Sequence, residues 1–465
     1  MLLGNHQLLT VAIIALLVGT AVLVAMVRYD LGPKGRLAQG GQWLLATALG
    51  TGILAFGVKL AIILAMITLP GLTIDPLIEK PSLSRMPAQQ DPLLGMLDAG
   101  RFLWQPLANR KPGIDPLLVP ENSNAGYVWS ALPAVAPSPA GRPASSAEVA
   151  LGERLFFDRR LSRDGTLSCS SCHDVLGGSG GDGRATSLGI DGQTGSRNAP
   201  TVWNAAFQSV LFWDGRAASL EEQAKGPLVN PLEMGMPSLA EVESRVRGDA
   251  DYRREFAQVY GATAAITIDR IAGAIAAYER TLITPDSPYD RFVQGDLDAL
   301  TPAQLRGMSL FQRLGCVQCH AGPNFSAASL FDARAPLRIF PIHPTPYEAK
   351  YALTQDGGAT PSGQGRGSWR VPSLRNVALT GPWLHNGSVN DLKEVVRIMS
   401  SVQLGYTGKY QVWSDSHKTW FELDRPPLEE AAVADIVAFL QALSSDRLVQ
   451  RIESETAQQP LASLP

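Results

Sequence analysis

The residues with the clearest chemistry in this 465-residue chain are its four cysteines, which occur in two copies of the pattern CxxCH. The six residues of the two copies are Cys169, Cys172, His173, Cys316, Cys319 and His320. Two thiols at this spacing can form thioether bonds to the two vinyl groups of a haem, and the adjacent imidazole can ligate the haem iron. The pattern therefore predicts two covalently attached haem c groups.

A structural zinc site or a thioredoxin-like redox pair is the alternative explanation of a CxxC pattern. Zinc would have to draw cysteine pairs from two places 147 residues apart and leave unused the histidine that follows each pair. Haem attachment uses all four cysteines and both histidines, and no cysteine is left for a disulfide. We therefore expect haem rather than zinc.

The function depends on what lies opposite each haem iron. A haem with both axial positions filled carries electrons, whereas an open sixth position lets the iron react with a small oxidant. The histidines that remain are His6, His343, His385 and His417, and the chain has nine methionines. His6 precedes an apolar run and is excluded, but the pattern alone does not choose among the others.

Overall composition limits the partners of the chain. The formal net charge is -3, and no basic face is present of the kind that phosphate contact requires, so nucleic acid is not an expected partner. Hydrophobic residues make up 45% of the chain and charged residues only 18%. Such a composition indicates that part of the chain lies in lipid.

Residues 8–27 and 43–69 are long apolar runs, each able to cross the ~30 Å hydrocarbon core as a helix. We expect two transmembrane helices, with a cleaved signal peptide as the alternative for the first run. The loop between them carries Arg28, Lys34 and Arg36, which by the positive-inside rule places it in the cytoplasm. The chain is then a two-pass inner-membrane protein.

This topology places everything after Pro70 in the periplasm, where c-type haem is normally attached. Lys59 lies within the second apolar run, where an ionisable group is costly unless it is paired or reaches the interface. It indicates either a membrane partner subunit or a side chain that snorkels towards the outer end of the helix.

Four regions are predicted along the chain. Residues 1–70 form the two-helix membrane anchor, and residues 71–146 form a Pro-rich linker whose aromatic residues, such as Tyr127 and Trp129, pack in part on the body that follows. Residues 147–295 and 296–465 each contain an amphipathic helix, a CxxCH motif, a loop-rich stretch and a further helix. The fold class is therefore mainly α, with two cytochrome c-like haem domains.

Helix boundaries can be predicted around both motifs. Glu148–Phe157 precedes the first motif, and Thr301 with Pro302 forms an N-cap and first-turn pair for the helix that leads to the second. Ile268–Leu282 and Leu428–Leu443 have apolar residues at three- and four-residue spacing, which is typical of helices packed in a core.

Several segments resemble the bacterial dihaem cytochrome c peroxidases, a family that includes the MauG-type enzymes that mature tryptophan cofactors in amine dehydrogenases. These segments are LFFDRRLSRDGTLSCSSCHD at 155–174, RNAPTVWNAAF at 197–207, FWDGRAASLEEQAKGPLVNPLEM at 212–234 and VPSLRNVALTGPWLHNGSVNDLKEVVRIMSSVQLG at 371–405. They follow the order of the family, and the resemblance extends from about residue 147 to residue 445.

The resemblance implies different ligands for the two haems. Met399 matches the distal ligand of the second haem, opposite His320, whereas the MauG-type enzymes have Tyr at this position. Classical members have a distal histidine for the first haem, and this chain has Ile190 at the matching position. We therefore expect an open or water-ligated first haem that needs no reductive opening, although a ligand from elsewhere in the chain is the alternative.

The resemblance also implies roles for three residues near the first haem. Glu233 matches the acid-base residue of the family, and Gln223 matches its hydrogen-bonding companion over the open face of the iron. Proton transfer from the bound oxygen to the leaving oxygen of peroxide requires such a group. Trp213 matches the aromatic residue that lies between the two haems and helps electrons to pass.

A calcium ion is implied at the domain interface. Asn198, Thr380 and Pro382 match the positions that bind it, partly through backbone oxygens, which a hard cation prefers. His385 lies in the same segment as Thr380 and Pro382, and we expect it to be structural or to bind a haem propionate.

These inferences favour a peroxidase that reduces hydrogen peroxide to water at the His173 haem. Electrons would enter at the Met399 haem from a small periplasmic cytochrome c or a cupredoxin. Two alternatives stay open: a MauG-like oxidase that modifies a protein substrate, and a dihaem electron-transfer subunit of a larger membrane complex.

Overall fold

The computed structural model describes residues 127–139, 143–360, 367–414 and 419–458. The two apolar runs expected to cross the membrane, Lys59, most of the predicted linker and His417 lie outside these residues. No helix within the described ranges is long and apolar enough to span a bilayer.

The described part of the chain is mainly helical, as predicted. The helices are α1 (Ser146–Phe156), α2 (Leu220–Val229), α3 (Leu239–Gly248), α4 (Ala250–Tyr260), α5 (Ile268–Glu279), α6 (Pro288–Val293), α7 (Pro302–Arg313), α8 (Tyr347–Lys350), α9 (Leu392–Ile398), α10 (Glu430–Gln441) and α11 (Asp446–Gln458). The strands are β1 (Leu337–Phe340), β2 (Gly367–Arg370), β3 (Gly408–Ser414) and β4 (Thr419–Arg425). β1 pairs antiparallel with β2, and β3 pairs antiparallel with β4.

The helices that lead to the two CxxCH motifs both begin at a capping side chain, and the second begins at the Thr301–Pro302 pair that was predicted. Ser145 caps α1 by accepting a hydrogen bond of 3.1 Å from the backbone N–H of Glu148. Thr301 and Gln304 form a reciprocal capping box at α7, with Pro302 at its first turn. Because these side chains satisfy N–H groups that have no partner within the helix, they fix the first turn of each helix.

In the first half, α1 crosses α5 at a glycine. A Cβ atom at Gly152 would lie only 1.8 Å from the carbonyl oxygen of Ala274, so a larger residue would force the two helices apart. One turn further along, the rings of Phe156 and Tyr278 have centroids 5.3 Å apart. The crossing holds the helix before the first motif against the last long helix of this half.

The second half repeats this arrangement with different residues. A Cβ atom at Gly307 on α7 would lie 1.9 Å from the carbonyl oxygen of Asp435 on α10. The rings of Phe311 and Phe439 follow one turn later, with centroids 5.4 Å apart. The same glycine-mediated crossing therefore precedes both CxxCH motifs, as expected for two cytochrome c-like units.

Two main apolar clusters follow from these crossings. The first surrounds α1 and α5, and it includes Leu448 of α11, which is fully buried. The second surrounds α6, α7 and α10, and it includes Trp129, whose ring contacts those of Tyr289 and Phe439. The boundary proposed between residues 295 and 296 stays a prediction, since α11 returns from the second cluster to the first.

A buried ion pair joins the segment after β2 to α6. Arg375 donates hydrogen bonds of 2.7 and 2.9 Å to the two carboxylate oxygens of Asp290. Asp290 also accepts a 2.9 Å hydrogen bond from the backbone N–H of Leu132. These groups satisfy one another away from water, so the pair connects three distant parts of the chain.

Candidate functional site

The first CxxCH motif lies on a short 3₁₀ turn, Cys169–Ser171, after α1. The Nδ1 atom of His173 lies 3.2 Å from the carbonyl oxygen of Gly180. A carbonyl oxygen only accepts, so Nδ1 carries the proton and Nε2 is the nitrogen with a lone pair for iron. Burial lowers the pKa of His173, which keeps the imidazole neutral, as an iron ligand must be.

The second motif has the same geometry on the turn Cys316–Gln318. The Nδ1 atom of His320 lies 3.1 Å from the carbonyl oxygen of Phe325, and burial lowers the pKa of His320 to about 4. None of the four cysteines forms a disulfide, so all four are available for thioether bonds to haem. The thiol pairs, the orientation of each ring and the half-buried positions of both histidines fit two haem c groups.

Glu233 occupies a tight turn that follows α2. The backbone N–H groups of Glu233 and Gly235 both donate to the carbonyl oxygen of Asn230, at 3.0 and 2.9 Å. The Asn230 side chain donates a 2.6 Å hydrogen bond to Oε1 of Glu233. Burial raises the pKa of Glu233, although this hydrogen bond and the charge of Arg216 oppose the shift. The carboxyl group is therefore held in one orientation, with a raised proton affinity.

Gln223 lies on α2, and the Glu233 turn folds back on the end of that helix. The backbone N–H of Met236 donates to the carbonyl oxygen of Leu228 at 2.8 Å, and that of Met234 donates to the carbonyl oxygen of Pro227 at 3.2 Å. The structure therefore places Gln223 and Glu233 on one helix–turn unit.

Ile190, which the resemblance matches to the distal histidine of the family, is packed against this turn. Its backbone N–H donates a 2.9 Å hydrogen bond to the carbonyl oxygen of Glu233, and only 1% of the residue is exposed. A Cβ atom at Gly189 would lie 1.8 Å from the carbonyl oxygen of Leu232, and one at Gly235 would lie 2.1 Å from Cδ1 of Ile190. The loop that lacks a histidine is thus fixed to the backbone of Glu233.

Trp213 lies in an aromatic cluster. Its Nε1 donates a 2.9 Å hydrogen bond to the carbonyl oxygen of Asn198, and its ring centroid lies 6.5 Å from that of His385. The His385 ring stacks on Trp369 at 3.9 Å. His385 is buried, which lowers its pKa to about 4, and its Nε2 has no hydrogen-bond partner among the described residues. His385 is thus a neutral member of this cluster.

The residues expected to bind calcium are only partly brought together. The backbone N–H of Asn198 donates to the carbonyl oxygen of His385 at 2.8 Å, which joins the segment of Asn198 to that of Thr380 and Pro382. The Asn198 amide nitrogen donates to the carbonyl oxygen of Arg184 at 2.9 Å, which leaves Oδ1 as a possible ligand. In the ranges that the structure covers, no group of three or more His, Cys, Asp or Glu side chains could hold a metal. The calcium site stays a prediction.

Met399 lies where α9 passes into a π-helical turn, Met399–Gln403. Ile398 and Val402 are fully buried, whereas Met399 is only half-buried. The thioether therefore does not belong to the apolar cluster that its neighbours form. π-Helical turns are frequent at functional sites because they re-aim a side chain within a helix.

Glu279, at the end of α5, was not predicted from the sequence. It is 5% exposed, and its Oε2 has no hydrogen-bond partner within the described residues. Burial raises its pKa to about 8. In the two equivalent crossings, Ala274 of α5 corresponds to Asp435 of α10, because each is the residue that the glycine contacts. Glu279 and Leu440 lie five residues after these two, so Leu440 is the counterpart of Glu279 in the second half. The signal in the sequence was a charged residue at the end of an apolar stretch of helix, and that signal does not reveal which way the side chain points.

Comparisons with known proteins identify the family of this chain. The sequence profile of the di-haem cytochrome c peroxidase family matches residues 146–298. Cytochrome c551 peroxidase from Nitrosomonas europaea is 38% identical over 321 residues, which cover 69% of this chain and 86% of that protein. The methylamine utilization protein MauG from Methylophilus methylotrophus is 34% identical over 315 residues, covering 67% and 87%.

A solved structure supports the fold as well. The crystal structure of a MauG-like protein associated with microbial copper homeostasis matches with a TM-score of 0.56 and 32% identity. The match covers 69% of this chain and 97% of that protein. With two CxxCH motifs on equivalent turns, the chain belongs to the dihaem cytochrome c peroxidase family.

Proposed function

We propose that this protein reduces hydrogen peroxide to water at the haem held by His173, with Glu233 as the acid-base residue. The reaction consumes two electrons and two protons for each peroxide and yields two water molecules. When bound, the haem iron supplies the site that polarises peroxide and delivers electrons. The orientation and raised pKa of the Glu233 carboxyl group are the observations that carry the proposal.

Glu233 would accept a proton from the inner oxygen of peroxide at its carboxylate and deliver that proton to the outer oxygen, which leaves as water. A group that does both must stay in one place, and Asn230 holds Oε1 at 2.6 Å. The raised pKa of Glu233 brings the carboxyl group closer to neutral pH, where proton transfer in both directions is most efficient. Gln223 would orient the peroxide through its side-chain amide.

The Ile190 loop supports a first haem that is open in the resting state. The classical distal histidine would have to leave this position before peroxide could bind. Ile190 offers no ligand atom, and its backbone bond to Glu233 fixes the loop. We therefore propose that the resting enzyme reacts with peroxide without prior reduction.

Electrons would enter at the haem ligated by His320 and Met399, from a small periplasmic cytochrome c or a cupredoxin. His/Met ligation raises the reduction potential, which suits a haem that receives electrons from such donors. Trp213, whose N–H group is held by Asn198 at 2.9 Å, would assist transfer between the two haems.

The test is the pair of variants Glu233→Gln and Glu222→Gln in the full chain. Glu222 lies on α2 with its side chain 58% exposed, so its amide controls for the loss of a charge. We expect E233Q to lose about 10²–10⁴-fold in kcat for peroxide with unchanged haem content, and E222Q to keep its activity. Wild-type turnover by E233Q would refute the assignment.

A MauG-like oxidase of a protein substrate is the second candidate, favoured by the similarity to MauG and to a MauG-like structure. Met399 opposes it, because the resemblance places Tyr there in the cofactor-maturing enzymes. Turnover of peroxide with a reduced small cytochrome, measured without any protein substrate, separates the two. An electron-transfer subunit would show no such turnover, and its oxidised protein would give two low-spin haem signals in electron paramagnetic resonance.

We also propose that the haem domains face the periplasm from a two-pass inner-membrane anchor. Support comes from the apolar runs at 8–27 and 43–69 and from the three basic residues between them. An alkaline phosphatase fusion after residue 146 should be active, and one within residues 28–42 should be inactive. The opposite pattern would overturn the topology.

A further inference from the structure

Arg370, the last residue of β2, is buried without a carboxylate partner. The residue is 6% exposed. Its Nε donates a 2.9 Å hydrogen bond to the carbonyl oxygen of Phe212, and its Nη1 donates a 3.1 Å hydrogen bond to Oε1 of Gln208. Both acceptors are neutral. No Asp or Glu oxygen among the described residues lies within 4.0 Å of its guanidinium, so the positive charge is not balanced by the part of the chain that the structure covers.

Arg375, five residues later, is a buried arginine that does have a carboxylate partner. It is 1% exposed, and its guanidinium binds both carboxylate oxygens of Asp290, at 2.7 and 2.9 Å. A buried charge costs several kcal/mol unless an opposite charge or a full set of hydrogen bonds compensates it. Burial lowers the pKa of Arg370 to about 10, which reflects this missing compensation. Arg370 thus lies in a site that suits an anion.

Arg370 belongs to the second half of the molecule and contacts a residue of the first half. Its backbone N–H donates to the carbonyl oxygen of Trp213 at 2.8 Å, and its guanidinium carbon lies 5.9 Å from the centre of the Trp213 ring. Two residues later, the carbonyl group of Pro372 interacts with the ring of His320. Arg370 therefore lies between the segment that contains Trp213 and His320, the expected proximal ligand of the second haem.

A haem c brings its own anions, because each carries two propionate groups. Arginine pairs with carboxylates through two parallel hydrogen bonds, and such pairs are strong when they are removed from water. We propose that Arg370 binds a propionate of one of the two covalently attached haems and raises the reduction potential of that haem. A nearby positive charge favours the ferrous state, which carries one positive charge fewer than the ferric state. The proposal rests on haem attachment and is independent of peroxide turnover.

The experiment is redox potentiometry on the full-length protein and on the variants R370Q and R338Q. Arg338 on the paired strand β1 is a matched control, because it donates to the carbonyl oxygens of Ala335 and Leu337. We expect R370Q to shift the ferric-to-ferrous ratio of one haem at least tenfold towards ferric, which is about 59 mV for one electron. R338Q should leave both potentials unchanged.

Electron paramagnetic resonance of samples poised at each potential identifies which haem is affected, and thus which propionate Arg370 binds. The haem with a high-spin ferric signal would be the one held by His173, and the low-spin haem the one held by His320. Either assignment supports the proposal. Unchanged potentials of both haems in R370Q, or an equal shift in R338Q, would overturn it.

A third variant covers the case in which R370Q fails to fold or to attach haem. R370H can carry a positive charge at low pH and loses it as the pH rises through the histidine pKa, normally near 6.5. As the pH rises through this range, the reduction potential of one haem in R370H should fall by more than it does in wild type. Covalent haem content and far-ultraviolet circular dichroism confirm that the variant is folded, and a wild-type pH profile in the folded R370H protein would refute the pairing.

Discussion

Replacing Glu279 by Gln should make the protein more stable than wild type at alkaline pH, by a margin that grows between pH 4.5 and about pH 8. Glu279 is buried, and the two charges that act on its carboxyl group, Glu221 and Arg280, form an ion pair with an N–O distance of 2.7 Å. Burial raises the pKa of Glu279, the charge of Arg280 opposes this shift and the charge of Glu221 adds to it, so that the pKa moves from its usual 4.5 to about 8. The folded protein therefore keeps this proton at neutral pH.

The direction of the pH dependence follows from the number of protons bound by the folded and the unfolded chain. Between pH 4.5 and about 8 the folded chain holds the proton and the unfolded chain has lost it, so unfolding releases a proton. The free energy of unfolding then falls by at most about 1.4 kcal/mol for each pH unit in this range. The full difference would be about 5 kcal/mol, and relaxation around a buried carboxylate reduces it to about 2–3 kcal/mol. Below pH 4.5 the contribution is fully present.

The assay is urea unfolding of wild type, E279Q and the exposed control E222Q at pH 4.5 and pH 8.5, followed by circular dichroism. E279Q cannot ionise, so its stability relative to wild type should rise by about 2–3 kcal/mol between the two pH values. Leu440 occupies the same position in the second half, so E279L should behave in the same way. Parallel pH profiles for E279Q and wild type, or a loss of stability in E279Q at pH 8.5, would refute this account of Glu279.

Three further predictions follow from the packing and the ligands. Gly152→Val should lower the free energy of unfolding by at least about 1–3 kcal/mol and therefore lower the thermal unfolding midpoint, because a Cβ atom at this position would lie 1.8 Å from a backbone oxygen of α5. A variant with the wild-type midpoint would contradict the crossing. Asp290→Ala leaves Arg375 buried without its partner and should cost about 3–5 kcal/mol in urea unfolding, whereas a cost below about 1 kcal/mol would show that the pair is dispensable. Met399→His should lower the reduction potential of the second haem in potentiometry, because bis-histidine ligation favours ferric iron more than His/Met ligation does; an unchanged potential would remove Met399 as the ligand.

Local signals in the sequence predicted the elements around the two motifs. Thr301 and Pro302 are strong N-terminal signals of a helix, and the structure begins α7 there. Capping depends on residues three or four positions apart, so the sequence contains all the information required. The predicted helix Glu148–Phe157 is observed at Ser146–Phe156, a difference within the usual uncertainty of helix ends.

Contacts between distant parts of the chain could not be predicted from such local signals. The pairing of β1 with β2 joins two short segments whose residues Leu337 and Arg370 are 33 positions apart, and neither segment has a clear alternating pattern. The burial of Arg370 and Glu279 depends on the face of β2 and α5 that meets the rest of the molecule. A charged residue in an apolar segment is normally expected at the surface. Only the packed structure shows these two to be interior.

The return of α11 to the first apolar cluster has a consequence for biosynthesis. Leu448 completes a core that begins with Leu151, and Arg451 donates a 2.8 Å hydrogen bond to the carbonyl oxygen of Val175. A ribosome makes Leu448 only after both CxxCH motifs and the whole second cluster. The half of the molecule that is translated first therefore obtains its complete apolar core only after the residues of the second cluster have been made.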